Sequence, residues 1–424
     1  MKNMFTRTLL SGIAVTALSL SLTGTSNATD GMFSNGYGTA AKGMSGAGAA
    51  MSLDTQAAIN NPAAMYALGD RFDFGVSYFS PRRKAIVEGD AGFFAHAQSA
   101  GTHKSASESF YIPSTGVNLD MGSYSLGVTL TANGGMNTDY QDCIFSGCTK
   151  QKTGIDLAQA MLGFTYARKV ADNLTFGITP TIAGQRFKAS GLQGFASVSS
   201  DANNLTDRGY SYSYGFGGTV GLMANMTDKL DVGLTYKSRT YMTEFEKYKG
   251  LFAEGGDMDI PASFTLGTAY KATDDLTVAL DYKHIFYSDV RSISNTNNIG
   301  ATTGPAQLGT KTGLGFGWEN MSVVKLGAQY DVDEALTVRA GGSWNSMAMD
   351  DKENMFNILA PAVPQYHLSG GATYKLGGGH EIGAAVTRAF SNTTDNDNNI
   401  NHNGNNIELQ MDQWNVDVGY TYSF

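Results

Sequence analysis

The last eleven residues of the chain alternate between apolar and polar side chains. The apolar positions are Trp414, Val416, Val418, Tyr420, Tyr422 and Phe424. This alternation is typical of a β-strand with one apolar face and one polar face. At about 3.3 Å per residue and a tilt near 40°, the apolar face is roughly 25 Å tall, which matches the hydrocarbon band of a membrane barrel. Strands of soluble proteins usually have about five to six residues, so the length favours a membrane barrel.

The same period of two recurs inside the chain. Apolar residues share one parity in 230–236, 276–282 and 336–344, and charged residues take the other parity. In a membrane barrel the apolar parity faces lipid and the charged parity lines the lumen. The charged residues predicted to face the lumen are Asp281, Lys283, Arg339 and Asp417.

Short turns rich in Asp, Asn and Gly divide the predicted strands into pairs. These turns lie at 120–122, 171–173, 227–229, 273–275, 333–334 and 377–379. Longer polar segments separate the pairs, at 82–105, 134–156, 190–208, 246–257, 290–313, 348–362 and 391–406. The predicted strands are 71–81, 106–119, 122–133, 157–170, 173–189, 209–226, 229–245, 258–271, 275–289, 314–330, 335–347, 363–376, 380–390 and 407–424. The predicted fold class is therefore all-β, a transmembrane antiparallel barrel of about fourteen strands at 71–424.

Composition agrees with a barrel and excludes several other classes. Only 16% of the 424 residues are charged, 52 are glycine, and the mean hydropathy is −0.19. A barrel reconciles low charge with low hydropathy because alternate strand residues face a polar lumen. Coiled coils and helical membrane bundles do not fit this composition. The net charge of −9 lacks the basic footprint of a nucleic-acid-binding protein.

The N-terminus has the pattern of a secretory signal peptide at 1–28. Lys2 and Arg7 precede an apolar core at 9–22, and a small-x-small cleavage site follows at 26–28. A retained membrane anchor fits less well because that core is shorter than the ~20 residues needed to cross a bilayer. With the barrel pattern, export predicts a location in the outer membrane of a Gram-negative bacterium.

Candidate chemistry in the sequence is sparse. In an oxidising compartment Cys143 and Cys148 are predicted to form a disulfide that pins one loop. The six histidines are scattered without ligand spacing, so no metal site or cofactor is expected. Nucleophile-elbow, zinc-protease and phosphate-loop motifs are missing, and an enzyme is not expected. Asp395, Asp397 and Asn399 resemble the start of a calcium loop, but Ile400 and Asn406 replace the required Gly and Glu.

Residues 29–70 lack the alternation of the rest of the chain. Half of 31–68 is Ala, Gly or Ser. Small residues allow close backbone approach and suit a compact plug of short helices inside a barrel, whereas a flexible tail would be more polar. Near the end of this segment, the Asn61 side chain can cap a turn and Pro62 fixes φ, although an ordinary helix terminus would look the same.

The chain resembles the FadL/TodX family of outer-membrane transporters for long-chain fatty acids and aromatic hydrocarbons. The resemblance covers the mature chain and rests on the order of the signal peptide, the small-residue segment, about fourteen strands and the terminal Phe424. The motifs that carry it include Asn61-Pro62-Ala63, Leu234-Thr-Tyr236-Lys-Ser238, Ile260-Pro261-Ala262 and Gly317-Trp318. Two departures are Ala64 in place of Gly and Tyr287-Ser288 in place of Trp-Ser.

The resemblance implies a hatch at 29–70 with Asn61, Pro62 and Ala63 at its motif. It also implies that the third strand kinks inward and opens a lateral exit. The matching residues are Asn133, Gly134, Gly135, Met136 and Asn137, whose glycines could instead simply begin the next loop. Ligand capture is expected at the loops that form the family's outer groove. The candidate residues, which could equally be local packing, are Leu192, Phe195, Val198, Leu205, Leu251 and Phe252.

A carboxylate ligand would require a cation inside the barrel. The candidates are Arg186, Lys188, Lys237 and Arg239, for which ordinary salt pairing in the lumen is the alternative. The expected function is passive transport of a fatty acid or aromatic hydrocarbon by a monomer surrounded by outer-membrane lipid and lipopolysaccharide. The alternative is a diffusion porin or surface adhesin on the same barrel.

Overall fold

A computed structural model describes residues 30–89, 98–297, 307–394 and 406–424 of the chain. The predicted signal peptide and residues 395–405 of the Asn-rich loop at 391–406 lie outside these residues. The strands are β1 Arg71–Glu88, β2 Gly101–Lys104, β3 Phe110–Asp120, β4 Ser125–Asn137, β5 Gly154–Ala171, β6 Leu174–Ser190, β7 Ser211–Thr227, β8 Leu230–Lys237, β9 Tyr241–Met242, β10 Ser263–Lys271, β11 Leu276–Ile285, β12 Met321–Asp331, β13 Leu336–Asn345, β14 Tyr366–Gly377, β15 His380–Thr394 and β16 Asn406–Ser423.

The helices within the described residues are all short. The α-helices are Thr39–Lys42, Ala57–Asn60, Ala253–Gly256, Arg291–Ser294 and Asn354–Asn357. The 3₁₀ helices are Pro62–Ala67, Gln193–Val198, Ala202–Asn204, Glu246–Tyr248, Tyr287–Asp289 and Asp351–Glu353. Within the described part of the chain, none is long and apolar enough to cross a membrane.

Fourteen of the strands form a closed antiparallel ring in chain order. The ring closes where β16 pairs with β1 from Arg71 opposite Ser423 to Glu88 opposite Asn406. The short strands β2 and β9 are additions that pair with β1 and β7. The predicted fourteen-stranded barrel is confirmed. Several predicted boundaries were wrong. Strand β1 continues to Glu88, where it still pairs with β16, β8 ends at Lys237 rather than at 245, and β12 begins at Met321 rather than at 314.

The two faces of the wall divide as the alternation predicts. On β16, Trp414 and Val418 are exposed on the outer face, whereas Gln413 and Asp417 are buried on the inner face. Asp281 is likewise buried inside the ring. The outer face is therefore apolar where lipid contacts it, and the polar residues point inward.

Residues 30–70 lie inside this ring and contact inward-facing side chains around it. Lys42 forms an ion pair with Asp417 of β16, with 2.6 Å between Nζ and Oδ1. The Asp281 carboxylate of β11 accepts the N–H groups of Gly48 at 2.8 Å and Ala49 at 2.9 Å. Because isolated buried charge is costly, these contacts hold the segment to the wall.

Replacing Asp417 by Ala should leave the buried Lys42 ammonium without a carboxylate. We expect the free energy of unfolding to fall by about 3–5 kcal/mol, the usual cost of breaking a buried ion pair from one side. The double variant Lys42→Met/Asp417→Leu should lose much less, because neither charge then remains. Equilibrium urea unfolding in lipid vesicles measures both changes. Asp228→Ala, in an exposed turn, is the control, and equal effects of Asp417→Ala and Asp228→Ala would contradict the prediction.

Candidate functional site

The motif Asn61-Pro62-Ala63 starts a 3₁₀ helix inside the barrel. The Asn61 side-chain oxygen accepts the N–H of Ala63 at 3.1 Å, and Pro62 occupies the first helical position. The predicted Asn cap is therefore confirmed. The Asn61 amide also donates to the carbonyls of Ala49 at 2.8 Å and Leu222 at 2.9 Å. One side chain thus joins its own turn, an earlier part of the segment, and the wall strand β7.

Two wall glycines allow the motif to approach this closely. A Cβ at Gly177 of β6 would lie 2.3 Å from the Pro62 carbonyl carbon. A Cβ at Gly221 of β7 would lie 2.0 Å from the Asn61 side-chain oxygen. Both distances are too short for a real side chain. The motif can therefore lie this close to the wall only because both wall positions are glycine.

The predicted lateral-opening residues, 133–137, lie within β4, the third strand of the wall. The alternative that they begin a loop is wrong, because β4 stays paired with β5 up to Asn137. The pairing slips between Ala132 and Gly134, where a bulge interrupts the register. Gly134 has a φ of 149°, a conformation that favours glycine.

On its other side, β4 separates from β3 over the same stretch. Pairing of β3 with β4 runs from Asp120 opposite Ser125 and ends at Thr115 opposite Leu130. Beyond that pair, the neighbouring wall strand of residues 110–114 of β3 is β1 alone, and that of residues 131–137 of β4 is β5 alone. The ladder of hydrogen bonds is therefore open between β3 and β4 in their loop-side halves.

The start of the N-terminal segment pairs with the bulge. Phe33 forms an isolated β-bridge with Gly134. Gly135 donates its N–H to the Met32 carbonyl at 3.1 Å, and Ser34 donates to the Asn133 carbonyl at 3.3 Å. These bonds satisfy backbone groups that the separation of β3 from β4 would otherwise leave unpaired.

Lys237 of β8 lies beside the same bulge. Its ammonium donates to the Asn133 side-chain oxygen at 3.1 Å and lies 5.4 Å from the centre of the Phe33 ring. Lys283 of β11 lies 5.0 Å from the same ring centre. Lys283 and Lys325 share the carboxylate of Asp30, at 3.5 Å and 2.9 Å. Among the described residues, Lys237 has no carboxylate within ion-pair distance.

These lysines line a cavity of about 30 Å³ between the segment and the wall. The lining combines the Phe33 ring with the ammonium groups of Lys237, Lys283 and Lys325. An apolar surface next to cations can hold an amphipathic anion such as a carboxylate.

The structure corrects two of the four predicted carboxylate partners. Arg186 and Lys188 share the parity of Ile178 and Ile182, which are exposed on the outer face of β6. They lie outside the lumen, and both cations are 4.7 Å from the ring centre of Tyr210. Strand parity in the sequence could have revealed this placement.

The fourth candidate, Arg239, lies in the loop after β8. It forms an ion pair with Asp259, with 3.0 Å between Nε and Oδ2. Asp259 also accepts the N–H of Met242 at 2.7 Å. Arg239 is therefore neutralised within its own loop, and Lys237 is the one predicted candidate that the structure places at the inner cavity.

The predicted capture residues do not form an exposed groove. Five of them are buried, and the sixth, Val198, packs against them. The buried five are Leu192, Phe195, Leu205, Leu251 and Phe252. They belong to one apolar cluster that fills the loop end of the barrel and leaves a cavity of about 20 Å³ beside Leu251 and Phe252. Loops from distant parts of the chain cover one another, which the sequence pattern does not reveal.

The sequence did not indicate the aromatic contacts that connect this cluster to the N-terminal segment. Ring centres are 5.0 Å apart for Phe195 and Phe356, and 5.1 Å apart for Trp318 and Tyr287. The Tyr287 hydroxyl donates to the Asp30 carbonyl at 2.6 Å and accepts the N–H of Met32 at 3.0 Å. The sequence signal for this contact was Tyr287 itself, which stands where the family that the chain resembles commonly has Trp. Only Tyr carries a hydroxyl that can bond to the backbone of Asp30 and Met32.

A disulfide joins Cys143 and Cys148 in the loop after β4. It closes a short loop whose Phe145 is fully buried and stacks edge-on against Phe195 at 5.1 Å. The covalent link thus holds an aromatic residue at the outer end of the apolar cluster.

A family model described as outer membrane protein transport protein (OMPP1/FadL/TodX) matches residues 20–424. The chain is 26% identical over 196 residues to a 47 kDa outer membrane protein of Pasteurella multocida, covering 41% of the chain and 43% of the relative. It is 23% identical over 290 residues to outer membrane protein P1 of Haemophilus influenzae, covering 60% of each. The chain thus matches less than two thirds of either relative.

Solved structures of other proteins share the fold. The Pseudomonas putida toluene transporter TodX is 18% identical with a TM-score of 0.67, and the match covers 92% of this chain and 99% of that one. A Pseudomonas aeruginosa FadL homologue is 17% identical with a TM-score of 0.69, covering 93% and 100%. At these identities the likeness establishes the barrel architecture.

Stability should depend on pH through Asp257, in the loop that also holds Arg239. Burial and the neighbouring Asp259 carboxylate raise the pKa of Asp257 to about 7, from about 3.9 in an unfolded chain. The folded state therefore prefers the protonated form. This contribution to stability is complete below about pH 4 and is lost as the pH rises through about 7.

We expect the Asp257→Asn variant to gain stability relative to the wild type at pH 8 but not at pH 4. The free energy of unfolding, measured for both proteins across this range, checks the prediction. Asp274→Asn, in an exposed turn, should follow the wild-type curve. A constant difference between Asp257→Asn and the wild type at all pH values would contradict it.

Proposed function

Because the chain belongs to the family of outer membrane protein transport proteins (OMPP1/FadL/TodX), we propose that it carries hydrophobic compounds passively across the outer membrane of a Gram-negative bacterium. The family is one of transport channels rather than enzymes. Long-chain acids and hydrocarbons cross the polar outer leaflet poorly, so a protein route needs an apolar entry and an exit into lipid.

The observation that carries this proposal is the open ladder between β3 and β4. Closed barrels pair every strand along its length, because unpaired backbone in lipid is costly. Here pairing stops at Thr115 and Leu130, and the bulge at Gly134 turns β4 toward the N-terminal segment. Buried Phe79, Phe110, Ile112 and Ala132 form an apolar cluster at this separation. An apolar gap in the wall suits sideways release of a hydrophobic ligand.

We propose that residues 29–70 act as the hatch. The described part of this segment is anchored to two strands of the ring, to β16 through Lys42 and to β12 through Asp30. A diffusion porin needs a continuous aqueous lumen. The cavities beside this segment measure about 30 and 60 Å³, and a larger cavity of about 570 Å³ lies at the short-turn end of the barrel, around Asp333 and Glu334. The packed interior therefore favours a gated transporter over the porin alternative.

The proposed route begins at the apolar loop cluster that contains Leu251 and Phe252. It continues past the Phe33 ring, where Lys237 holds the ligand's polar end, and leaves between β3 and β4. Because the capture residues are buried, entry requires the covering loops to separate. No nucleotide-binding motif is present in the sequence, so movement would follow the concentration gradient.

Reconstitution into proteoliposomes tests the function as a whole. Uptake of labelled oleate and toluene should be saturable and greater than in protein-free vesicles, while ionic conductance stays low. Large steady conductance without saturable uptake would favour a porin and reject the transporter. If the protein shows neither saturable uptake nor ionic conductance, the adhesin alternative remains.

Replacing Gly134 by Val should slow uptake through the lateral exit. A β-branched residue at this φ costs about 1–3 kcal/mol, so we expect uptake to fall by roughly tenfold. Vesicle uptake is measured together with the yield of folded, heat-modifiable barrel, which should not change. Gly184→Val is the matched control, because a Cβ there meets nothing closer than 3.8 Å. Unchanged uptake by a folded Gly134→Val protein would show that the ligand does not leave the barrel at this bulge.

Replacing Lys237 by Met should separate carboxylate from hydrocarbon ligands. A hydrogen bond to a charged group contributes about 1.5–3 kcal/mol, so oleate affinity should fall roughly 10- to 100-fold. Toluene has no charge, and its binding should persist. Lys188→Met removes the same charge from the outer face and serves as the control. If both ligands weaken equally, Lys237 does not select carboxylates.

A further inference from the structure

The outer face of β1 changes from apolar to cationic toward the long loops. Its outward parity runs from Phe74 through Val76 and Tyr78 and then reaches Arg82 and Lys84. Aromatic residues mark the upper edge of the apolar band. The rings of Tyr78 and Tyr111 are 5.4 Å apart, and the exposed Trp414 lies opposite Ser80.

Arg82 and Lys84 lie just above this aromatic edge. In outer-membrane barrels such girdles sit at the membrane interface, and long loops face the outside. Two residues along a strand advance about 7 Å. The two cations are therefore placed at the level of the headgroups in the outer leaflet, pointing toward lipid rather than into the lumen.

A third cation joins them from β2. Lys104 lies directly opposite Lys84 in the antiparallel register. Side chains of such pairs share one face, with Cβ atoms about 4.5–5.5 Å apart. Like charges directly opposite each other destabilise a sheet, so this pairing is favourable only with an anion nearby. We call Arg82, Lys84 and Lys104 the outer cationic cluster.

The carboxylates nearby do not neutralise this cluster. Asp412 lies opposite Arg82 in the register, but its ion pair is with Arg388 on the other side, at 2.5 Å. The Arg388 guanidinium in turn covers the Trp414 ring at 4.9 Å. Glu408 lies opposite Ile86, farther from the membrane. Within the described part of the chain, no member of the outer cationic cluster has a carboxylate within ion-pair distance.

We propose that the outer cationic cluster binds a phosphate group of a phosphorylated glycolipid in the outer leaflet. Two ammonium groups and one guanidinium can surround a phosphate from one side. The glycolipid's acyl chains would lie along the apolar band immediately below, against Val76, Val416 and Val418. A free phosphate ion would gain the charge contacts but not this apolar contact, so the site selects the lipid.

Binding of purified diphosphoryl lipid A to the detergent-solubilised protein tests this site. The triple variant Arg82→Gln/Lys84→Gln/Lys104→Gln should bind much more weakly than the wild type. A cation near an anionic lipid surface contributes about a fivefold change in affinity, so the three together should account for roughly a hundredfold. Monophosphoryl lipid A should bind the wild type less tightly, and inorganic phosphate should not saturate it.

A matched control is Lys271→Gln, which removes an exposed lysine at the opposite end of the barrel. It should bind lipid A like the wild type. Lipid A should also raise the unfolding temperature of the wild type and not that of the triple variant. Equal lipid A affinity of the wild type and the folded triple variant would overturn the proposal, as would equal weakening by Lys271→Gln. Saturation by inorganic phosphate would show a site for free phosphate instead.

Toluene uptake separates this site from transport. The triple variant should carry toluene at the wild-type rate in vesicles without lipid A, because the cluster lies outside the lumen. The lipid A measurement therefore stands whether or not the proposed transport function holds.

Discussion

Neutralisation of charge buried inside the barrel is the interaction on which the rest of the structure depends. The inner wall carries Asp281, Lys325 and Asp417 at positions closed to solvent. Isolated charges in such places would cost several kcal/mol each. The N-terminal segment supplies their partners through Asp30, Lys42 and the backbone N–H groups of Gly48 and Ala49. The N-terminal segment therefore pairs with or hydrogen-bonds the buried charges of the wall, and the interior of the barrel is packed rather than open.

The gap between β3 and β4 depends on the same segment. A strand that leaves its neighbour exposes backbone donors and acceptors, which a membrane protein tolerates only where other protein covers them. Phe33, Met32 and Ser34 provide part of that cover by pairing with the bulge at Gly134. Any displacement of the segment would thus act on the bulge directly. Tyr287 extends the connection outward, because it holds Asp30 and Met32 from the side of the loop cluster.

Position on the wall decides what a given cation can do. Lys237 and Lys188 are chemically identical, yet one faces a cavity beside Phe33 and the other lies over Tyr210 outside the lumen. Lys84 and Lys104 form a third environment, in which two lysines oppose each other near the membrane surface. Inside the barrel Lys325 is paired with Asp30 and Lys237 faces the cavity, whereas Lys84 and Lys104 point away from the lumen.

The sequence by itself determined the number of wall strands, the direction that their side chains face, and the Asn61 cap. These features follow from local period and local hydrogen bonding, which few neighbouring residues specify. Parity would also have placed Arg186 and Lys188 outside. Only the tertiary structure decided that Asp30 pairs with Lys325, that β3 and β4 separate, and that the predicted capture residues are buried. Each of these depends on segments brought together by closure of the ring, and no local pattern records which distant residues meet.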